Sequence, residues 1–192
     1  MDNKHIFKGR IEVICGSMFS GKTEELIRRI KKVELADEKY IIFRPKIDSR
    51  NPENKIISHA KNEISASIVS SPKEILDLSV NYPVIGIDEA QFFDLSIVDV
   101  CNLLANKGHR LIIAGLDMDY KGKPFGPMPN LMACAEKVTK VHAVCVESGE
   151  EANYSFRKNI NEDLVMVGKK KEYEPLTIKA FIKKMSEREK NI

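Results

Sequence analysis

Apolar and polar residues alternate along the chain in a pattern that predicts strands and helices in turn. Four short, almost wholly apolar runs predict buried strands, and they cover residues 11–14, 40–43, 84–87 and 111–114. Apolar residues at helical spacing predict helices that begin after Thr23 and at Ser71-Pro72, and a third helix over residues 96–107. Apolar strands that alternate with helices are typical of a parallel sheet buried on both faces. The pattern therefore predicts an α/β fold with a mostly parallel sheet.

A polar stretch interrupts this alternation after the second strand. Residues 44–59 are polar and contain Pro45 and Pro52, which predicts a long loop. A loop of that length in a compact protein is usually functional or mobile. Residues 64–69 then predict one short strand.

The pattern changes near Cys145, where turn-forming polar residues replace the long apolar runs. Later strand signals, such as residues 164–167, are short, and apolar residues at helical spacing return only after Pro175. We therefore predict two domains, a larger α/β domain over residues 1–144 and a small domain over residues 145–192 that ends in a helix or tail.

The segment between the first strand and the first helix carries the clearest chemical motif. It fits the pattern G-x-x-x-x-G-K-[ST] through Gly16, Ser17, Met18, Phe19, Ser20, Gly21, Lys22 and Thr23. Gly16 and Gly21 permit backbone angles that turn successive N–H groups towards an anion, and the start of the helix adds its positive end. Lys22 is expected to reach the β- and γ-phosphates, and the Thr23 hydroxyl to ligate Mg²⁺. The motif predicts a nucleoside triphosphate site, the alternative being a glycine-rich turn without a ligand.

Two acids, Asp88 and Glu89, directly follow the third apolar strand. Open α/β sheets bind ligands at the carboxyl ends of their strands. In P-loop enzymes an acid at this position holds Mg²⁺, a role that we assign to Asp88. Phosphoryl transfer to an alcohol also needs a group that accepts the hydroxyl proton, and Glu89 is the candidate. The side chains that could wall a pocket for a flat base, or belong to the core, are Met18, Phe19, Phe92, Phe93, Tyr120 and Phe125.

Composition and charge narrow this interpretation without changing it. The 192-residue chain is 43% hydrophobic and 31% charged, as in ordinary soluble globular proteins. Its 31 basic and 28 acidic residues give a net charge of +3, which is too small to indicate a nucleic-acid-binding surface. The N-terminus has no long apolar segment that would predict a signal peptide or a membrane span. The four cysteines are scattered, so we expect reduced thiols in a cytoplasmic protein.

Four segments, taken in order, resemble thymidine kinases of the type II, P-loop class. They are residues 16–23, Asp48-Ser49-Arg50, residues 87–93 (Ile-Asp-Glu-Ala-Gln-Phe-Phe) and residues 116–126 (Leu-Asp-Met-Asp-Tyr-Lys-Gly-Lys-Pro-Phe-Gly). The resemblance implies a RecA-like P-loop domain followed by a small lasso domain, commonly assembled as a homotetramer. It also implies Mg²⁺-dependent transfer of the γ-phosphate of ATP to the 5′-hydroxyl of thymidine or deoxyuridine, a salvage reaction that supports DNA synthesis. Feedback binding of dTTP is a further possibility that the resemblance raises.

The resemblance assigns roles residue by residue. Glu89 matches the catalytic base, Asp88 the Mg²⁺-associated acid, and Arg50 an arginine directed at the phosphates. The nucleoside pocket is matched by Met18, Phe92, Leu116, Tyr120, Phe125, Ser155 and Arg157. Residues 164–173 resemble the lasso loop that closes over the nucleoside and reads thymine mainly with main-chain groups. The residues assigned to the substrate there are Leu164, Val165, Met166, Val167, Gly168 and Tyr173.

The chain departs from this family at a structural zinc site. Family members often hold zinc with two C-x-x-C pairs. Here Ser148 occupies the position of the second cysteine in the pair that begins at Cys145, and residues 177–180, where the other pair would lie, contain no cysteine. Because a closed zinc site needs four ligands, we predict that the protein holds no zinc. We expect Cys145 to be a small buried apolar residue. The apolar side chains expected to fasten the small domain instead are Leu176, Phe181, Ile182 and Met185.

Two other functions stay open from the sequence. One is a kinase that acts on another nucleoside, which a panel of substrates would distinguish. The other is a RecA-like ATPase that binds nucleic acid and has no small acceptor. Stimulation of ATP hydrolysis by single-stranded DNA would favour that ATPase, and the nearly balanced charge argues against it.

Overall fold

The computed structural model describes residues 9–48, 54–58, 62–159 and 172–190. The strands are β1 (Arg10–Gly16), β2 (Tyr40–Pro45), β3 (Lys55–Ile57), β4 (Glu63–Ser65), β5 (Ser67–Val69), β6 (Val84–Ile87), β7 (Arg110–Leu116), β8 (Lys137–Lys140), β9 (Ala143–Val144), β10 (Glu151–Ala152), β11 (Tyr154–Arg157) and β12 (Tyr173–Leu176). The helices are α1 (Lys22–Leu35), α2 (Pro72–Leu78), α3 (Ser96–Asn106), α4 (Met128–Cys134) and α5 (Ile178–Lys190). A short 3-10 turn covers Ala90–Phe92.

Six strands form a central sheet in the order β5-β2-β6-β7-β1-β8, and every neighbouring pair in it is parallel. Elsewhere in the described ranges, β3 pairs with β4, β9 with β10 and β11 with β12, and these pairs are antiparallel. The predicted α/β fold with a parallel sheet is confirmed. In this order β1 lies between β7 and β8, so the loop that follows β1 opens beside the ends of both neighbours.

Alternate side chains of each strand are buried on opposite faces of the sheet. In β7, Leu111 and Ile113 join a core cluster with residues of α2, α3 and α4, whereas Ile112 and Ala114 join a second cluster with α1. This division follows from the alternation of side chains along a strand. Helices cover both faces, and continuous apolar strands are the sequence feature that such coverage requires.

The polar stretch after β2 contains more structure than a single loop. Strand β3 lies inside residues 44–59, where Ile56 is buried against the α1 side of the sheet. The strand predicted over residues 64–69 is two strands, because Ala66 N–H bonds to Asn54 O at 2.9 Å and interrupts the run. β4 then pairs with β3, and β5 joins the central sheet beside β2. The prediction of one loop followed by one strand is therefore wrong here.

Helix α4 and strand β8 have no counterpart among the predicted elements. α4 has only seven residues, too few to show a helical period, although Met128 and Leu131 are fully buried. β8 has a lysine at each end of Val138 and Thr139 and lies at the edge of the sheet, where Val138 is 45% exposed. An edge strand needs no apolar run, because one of its sides faces solvent.

A third apolar cluster lies in the C-terminal part of the chain. Its buried members are Ala143, Cys145, Ala152, Phe156, Leu176, Ala180 and Phe181, and Met185 packs against them. Leu176, Phe181 and Met185 therefore make the contacts expected of them. Ile182 does not, because it lies on the outer face of α5 and is 57% exposed. The helix continues to Lys190, and the division into two domains stays a prediction.

A buried charged cluster lies between the sheet and α1. Glu12 of β1 accepts hydrogen bonds from Arg10, Arg29 and Arg110 at 2.7 to 2.9 Å, and Arg29 also donates to Thr139 at 2.8 Å. Burial alone would raise the pKa of Glu12, but the bonds and charges of Arg110 and Arg10 outweigh it and lower the pKa from 4.5 to about 2. The cluster fastens β1 to α1 on either side of the loop that joins them. Across the described ranges, no helix combines the length and the apolar character that crossing a membrane would require.

Candidate active site

The loop between β1 and α1 has the backbone of a phosphate-binding loop. β1 ends at Gly16 and α1 begins at Lys22, which is the strand, loop and helix order that the motif requires. Gly16 and Gly21 have φ angles of 145° and 87°, and Phe19 between them has a φ of 64°. A Cβ at Gly16 would lie 2.1 Å from Val141 O, so no side chain fits there. Glycine is thus required at position 16 by contact as well as by conformation.

Side chains of the loop bind its own main chain. Ser20 Oγ and Lys22 Nζ each donate a hydrogen bond of 2.7 Å to Ser17 O. Lys22 is buried, so its ammonium group lies within the loop and not in bulk solvent. A cation held at the start of a helix, beside N–H groups that have no helical partner, creates positive potential for an anion.

The loop is also bonded to the C-terminal strands. Ser17 Oγ donates to Ala152 O of β10 at 3.1 Å, and Met18 N–H donates to Ser155 Oγ of β11 at 2.9 Å. Ser155, which the resemblance assigns to the nucleoside pocket, therefore contacts the main chain of the phosphate-binding loop. The two regions expected to hold the two substrates share a direct hydrogen bond.

Thr23 and Asp88 lie together at the carboxyl edge of the sheet. Asp88 follows β6, and its N–H bonds to Phe43 O of β2 at 2.9 Å. The Thr23 hydroxyl lies 3.1 and 3.3 Å from the two oxygens of the Asp88 carboxylate, which is 4% exposed. A hydroxyl and a carboxylate offer the oxygen ligands that Mg²⁺ prefers, and this ion needs few of them because it keeps several waters. The pair therefore fits the ion that the sequence assigns to it.

Glu89 stands beside this pair in a left-handed backbone conformation. Its φ is 54°, a region that is sparsely populated by non-glycine residues and that is found most often at functional sites. The side chain is 7% exposed, and Gln91 Nε2 donates to its Oε2 at 2.6 Å. Sequence reasoning assigned no role to Gln91. The sequence feature that could have identified it is its position two residues after the expected base.

The segment after β7 packs against the turn that carries Glu89. The rings of Phe92 and Phe125 meet edge to face with centroids 5.9 Å apart. Asp119 Oδ1 accepts the N–H groups of Lys121 and Lys123 at 2.8 and 2.9 Å, which closes a tight turn. This turn presents Tyr120, a residue that is 7% exposed, on the same segment as Phe125. Two of the predicted pocket aromatics, Phe92 and Phe125, are thus in contact with each other.

Arg157 joins this segment to the C-terminal strands. It is 1% exposed, and its guanidinium carbon lies 3.8 Å from the centroid of the Tyr120 ring. Its Nε donates to the Tyr173 hydroxyl at 3.0 Å. Burial raises the pKa of Tyr173, and the hydrogen bond from Arg157 opposes that rise only in part. Three residues assigned to the substrate therefore contact one another through Arg157, and their contact with a nucleoside stays a prediction.

The other residues assigned by resemblance fall elsewhere. Leu116 ends β7, and its N–H donates to Gln91 Oε1 at 2.9 Å. The residues that lie outside the described ranges are Arg50, Leu164, Val165, Met166, Val167 and Gly168. Their predicted roles in binding phosphate and closing over the nucleoside therefore stay predictions.

Cys145 is buried in the third apolar cluster, as expected from the sequence. Burial acts to raise its pKa, yet hydrogen bonds from the Ser148 hydroxyl and from backbone N–H groups, including that of Thr177, lower it from 9.0 to about 7. Ser148 and Thr177 lie in the two segments where the family has its further cysteines. Both residues lie close enough to the Cys145 thiol to lower its pKa. Within the described residues, no group of three or more His, Cys, Asp or Glu side chains is arranged to hold a metal ion.

Comparison with known proteins gives a consistent result. The family model described as thymidine kinase matches residues 9–181. The thymidine kinase of Bacteroides fragilis is 53% identical over 185 residues, which cover 96% of this chain and 93% of that protein. The thymidine kinase of Bacteroides thetaiotaomicron is 52% identical over 180 residues, which cover 94% of this chain and 90% of that protein.

Among solved structures, domain III of the Thermotoga maritima replication initiation protein DnaA aligns with a TM-score of 0.42 and 14% identity, over 72% of this chain and 57% of that chain. The family model and the two Bacteroides proteins cover nearly all of the sequence, and the matched residues 9–181 include the P-loop and the strand that Asp88 and Glu89 follow. The chain therefore belongs to the thymidine kinase family.

Proposed function

We propose that this protein transfers the γ-phosphate of ATP to the 5′-hydroxyl of thymidine, or of deoxyuridine, and releases the nucleoside monophosphate. The proposal is carried by one observation in a member of this family: the Thr23–Asp88 pair and Glu89 converge at the sheet edge beside the P-loop. The reaction belongs to the salvage of pyrimidine deoxynucleotides for DNA synthesis.

The P-loop and Lys22 bind the phosphates of the donor in this proposal. The N–H groups at the start of α1 and the Lys22 ammonium group supply positive potential where the β- and γ-phosphates lie. Lys22 Nζ exchanges its bond to Ser17 O for one to a phosphate oxygen. Thr23 and Asp88 would hold Mg²⁺, which would supply neutralisation of charge on the transferred group. Arg50 is assigned to the same phosphates.

Glu89 accepts the proton of the 5′-hydroxyl as the oxygen attacks the γ-phosphorus, the bond from that phosphorus to the β,γ-bridging oxygen breaks, and ADP leaves. It follows Asp88 directly, so the proton acceptor and the residue that holds the metal are fixed by the same strand end. Burial of Glu89 limits the access of water, which could otherwise accept the phosphoryl group. Phosphoryl transfer requires mainly positioning and charge neutralisation from the protein, and both acids are held by buried contacts.

The thymine ring is expected to lie between the P-loop, the Glu89 turn and the segment after β7. Ring–ring and ring–arginine contacts already order part of that wall, as between Phe92 and Phe125 and between Tyr120 and Arg157. The remaining wall residues in this proposal are Met18, Leu116, Ser155, Tyr173 and residues 164–168. A lid that supplies fixed N–H and C=O groups to the edge of the base would give specificity for thymine.

We also infer a cytoplasmic homotetramer in which dTTP competes for the acceptor site. Four free cysteines support a reducing compartment. Light scattering on the purified protein tests the tetramer. Inhibition by dTTP that is competitive with thymidine tests the feedback site.

A panel of deoxynucleosides with radiolabelled ATP and Mg²⁺ tests the proposed reaction. Thymidine and deoxyuridine are expected to give labelled monophosphates, whereas deoxycytidine and the purine deoxynucleosides are not. Preferential labelling of another nucleoside would contradict the proposed substrate. Hydrolysis of ATP that needs single-stranded DNA and gives no monophosphate would instead favour a nucleic-acid-binding ATPase.

A further inference from the structure

The side chain of Gln91 links Glu89 to the end of a neighbouring strand. Gln91 Nε2 donates to Glu89 Oε2 at 2.6 Å, and Gln91 Oε1 accepts the N–H of Leu116 in β7 at 2.9 Å. Gln91 is 3% exposed. Its amide group therefore spans two adjacent strand ends, β6 with Glu89 and β7 with Leu116, inside the protein.

The chemistry of the two partners fixes the orientation of this amide. A backbone N–H can only donate, so the amide oxygen must face Leu116. An ionised carboxylate can only accept, so the amide nitrogen must face Glu89. A flipped amide would put two donors together on one side and two acceptors together on the other. The hydrogen-bond network thus permits a single orientation.

Two glycines pack directly against Gln91. A Cβ at Gly115 would lie 2.9 Å from Gln91 Oε1, and a Cβ at Gly126 would lie 2.4 Å from the Gln91 main-chain oxygen. Both Gly115 of β7 and Gly126 of the following segment therefore approach Gln91 more closely than any other residue could. The side chain and the main chain of Gln91 thus each lie against a glycine that has no side chain to displace them.

Glu89 needs such support more than most carboxylates do. Its backbone lies at a φ of 54°, on a turn, and a glutamate side chain has several rotatable bonds whose freedom opposes a single position. A misplacement of about 1 Å in a reacting group can cost about 100-fold in rate. A partner that is itself immobile, buried and hydrogen-bonded at its far end can hold the carboxylate.

We propose that Gln91 is a positioning residue, which holds the Glu89 carboxylate in place for the 5′-hydroxyl of the acceptor. This inference rests on the proposed role of Glu89 as the base. Gln91 itself touches neither substrate in this proposal. Its effect passes through Glu89, so it should influence turnover and not the affinity for thymidine.

Substitution Gln91→Met keeps the length of the side chain and removes both hydrogen bonds. We expect kcat to fall by about 10- to 100-fold with KM for thymidine within about twofold of wild type. In a Glu89→Gln background the same substitution should cause little further loss, because the group it positions is already disabled. A wild-type kcat in Gln91→Met, an equal loss in both backgrounds, or a rise in KM alone would overturn the inference.

Gln91 is the single glutamine of the chain, which gives a second test that uses the wild-type fold. Labelling with side-chain nitrogen-15 glutamine should give one pair of amide proton resonances. The proton that faces the carboxylate is expected downfield, and Glu89→Ala should move it upfield. An unshifted resonance would overturn the inference even if Gln91→Met does not fold. If Glu89→Gln alone keeps near-normal kcat, the proposed base is wrong, whereas a silent Gln91→Met beside an inactive Glu89→Gln refutes only the positioning role.

Discussion

Replacing Glu12 with glutamine is expected to remove about 3 kcal/mol of folding stability at neutral pH and to flatten the acid side of the stability profile. Glu12 is 5% exposed and accepts hydrogen bonds from three arginines, of which Arg29 is itself buried. Glutamine keeps the shape of the side chain and removes the charge. The arginines then lose their shared anion inside the protein, where an uncompensated charge is costly.

The expected magnitude follows from the pKa of the carboxyl group. A fall from 4.5 to about 2 in the folded state corresponds to about 3 kcal/mol. Because the folded pKa lies below the unfolded one, this contribution is fully present above about pH 4.5. It is lost as the pH falls from about 4.5 to about 2, and about 1.4 kcal/mol of it should be gone at about pH 3.5.

Urea unfolding of the wild type and of Glu12→Gln at about pH 7 and about pH 3.5 measures both quantities. The difference in unfolding free energy between the two proteins should shrink at the lower pH, because only the wild type can lose this carboxylate. The control is Glu151→Gln at an exposed strand position, which should change stability by less than about 0.5 kcal/mol. A wild-type advantage that is equal at both pH values would refute the reasoning.

Three further predictions concern the third apolar cluster, the Thr23–Asp88 pair and zinc. Phe181→Ala should lower the free energy of unfolding by about 3–5 kcal/mol, because the ring is buried in the third cluster. Ile182→Ala, at the next and exposed position, should lower it by less than about 0.5 kcal/mol. Equal losses for the two variants in urea unfolding would contradict the packing. Thr23→Val should raise the Mg²⁺ concentration for half-maximal activity by about tenfold, and Thr23→Ser should not; an unchanged requirement in the valine variant would show that the hydroxyl is not a ligand. Dialysis against a chelator and return of Mg²⁺ should leave Tm and activity unchanged, since a closed zinc site needs four ligands and Ser148 stands where a second cysteine would follow Cys145; stoichiometric zinc in metal analysis of the untreated protein would refute this prediction.

The central sheet was predictable because its strands are buried on both faces. Residues 84–87 and 111–114 are continuous apolar runs, which is the pattern of a strand covered on both faces. Both are strands at the centre of the sheet. The edge of the same sheet was not predictable. β8 pairs with β1, and its two lysines give the segment the sequence pattern of a polar loop. Ile182 was misplaced because an apolar residue beside a buried one on a short helix fits either face of the pattern.

The candidate site shows the same division. Thr23, Asp88 and Glu89 were predictable because a loop motif and a strand end each place their side chains by local geometry. Gln91 was not, since its importance depends on contact with Leu116 of another strand. The bond from Met18 N–H to Ser155, which is more than a hundred residues away along the chain, likewise requires the folded structure.

Turnover of thymidine by Glu89→Gln tests the central claim most directly. Glutamine keeps the size of the side chain and cannot accept the proton of the 5′-hydroxyl. With radiolabelled ATP and saturating Mg²⁺, we predict thymidine affinity within about twofold of wild type and a loss of about 100- to 10,000-fold in kcat, the range that a general base contributes. A variant that binds thymidine and keeps a near-wild-type kcat would contradict the account, because the proton would then leave by another route.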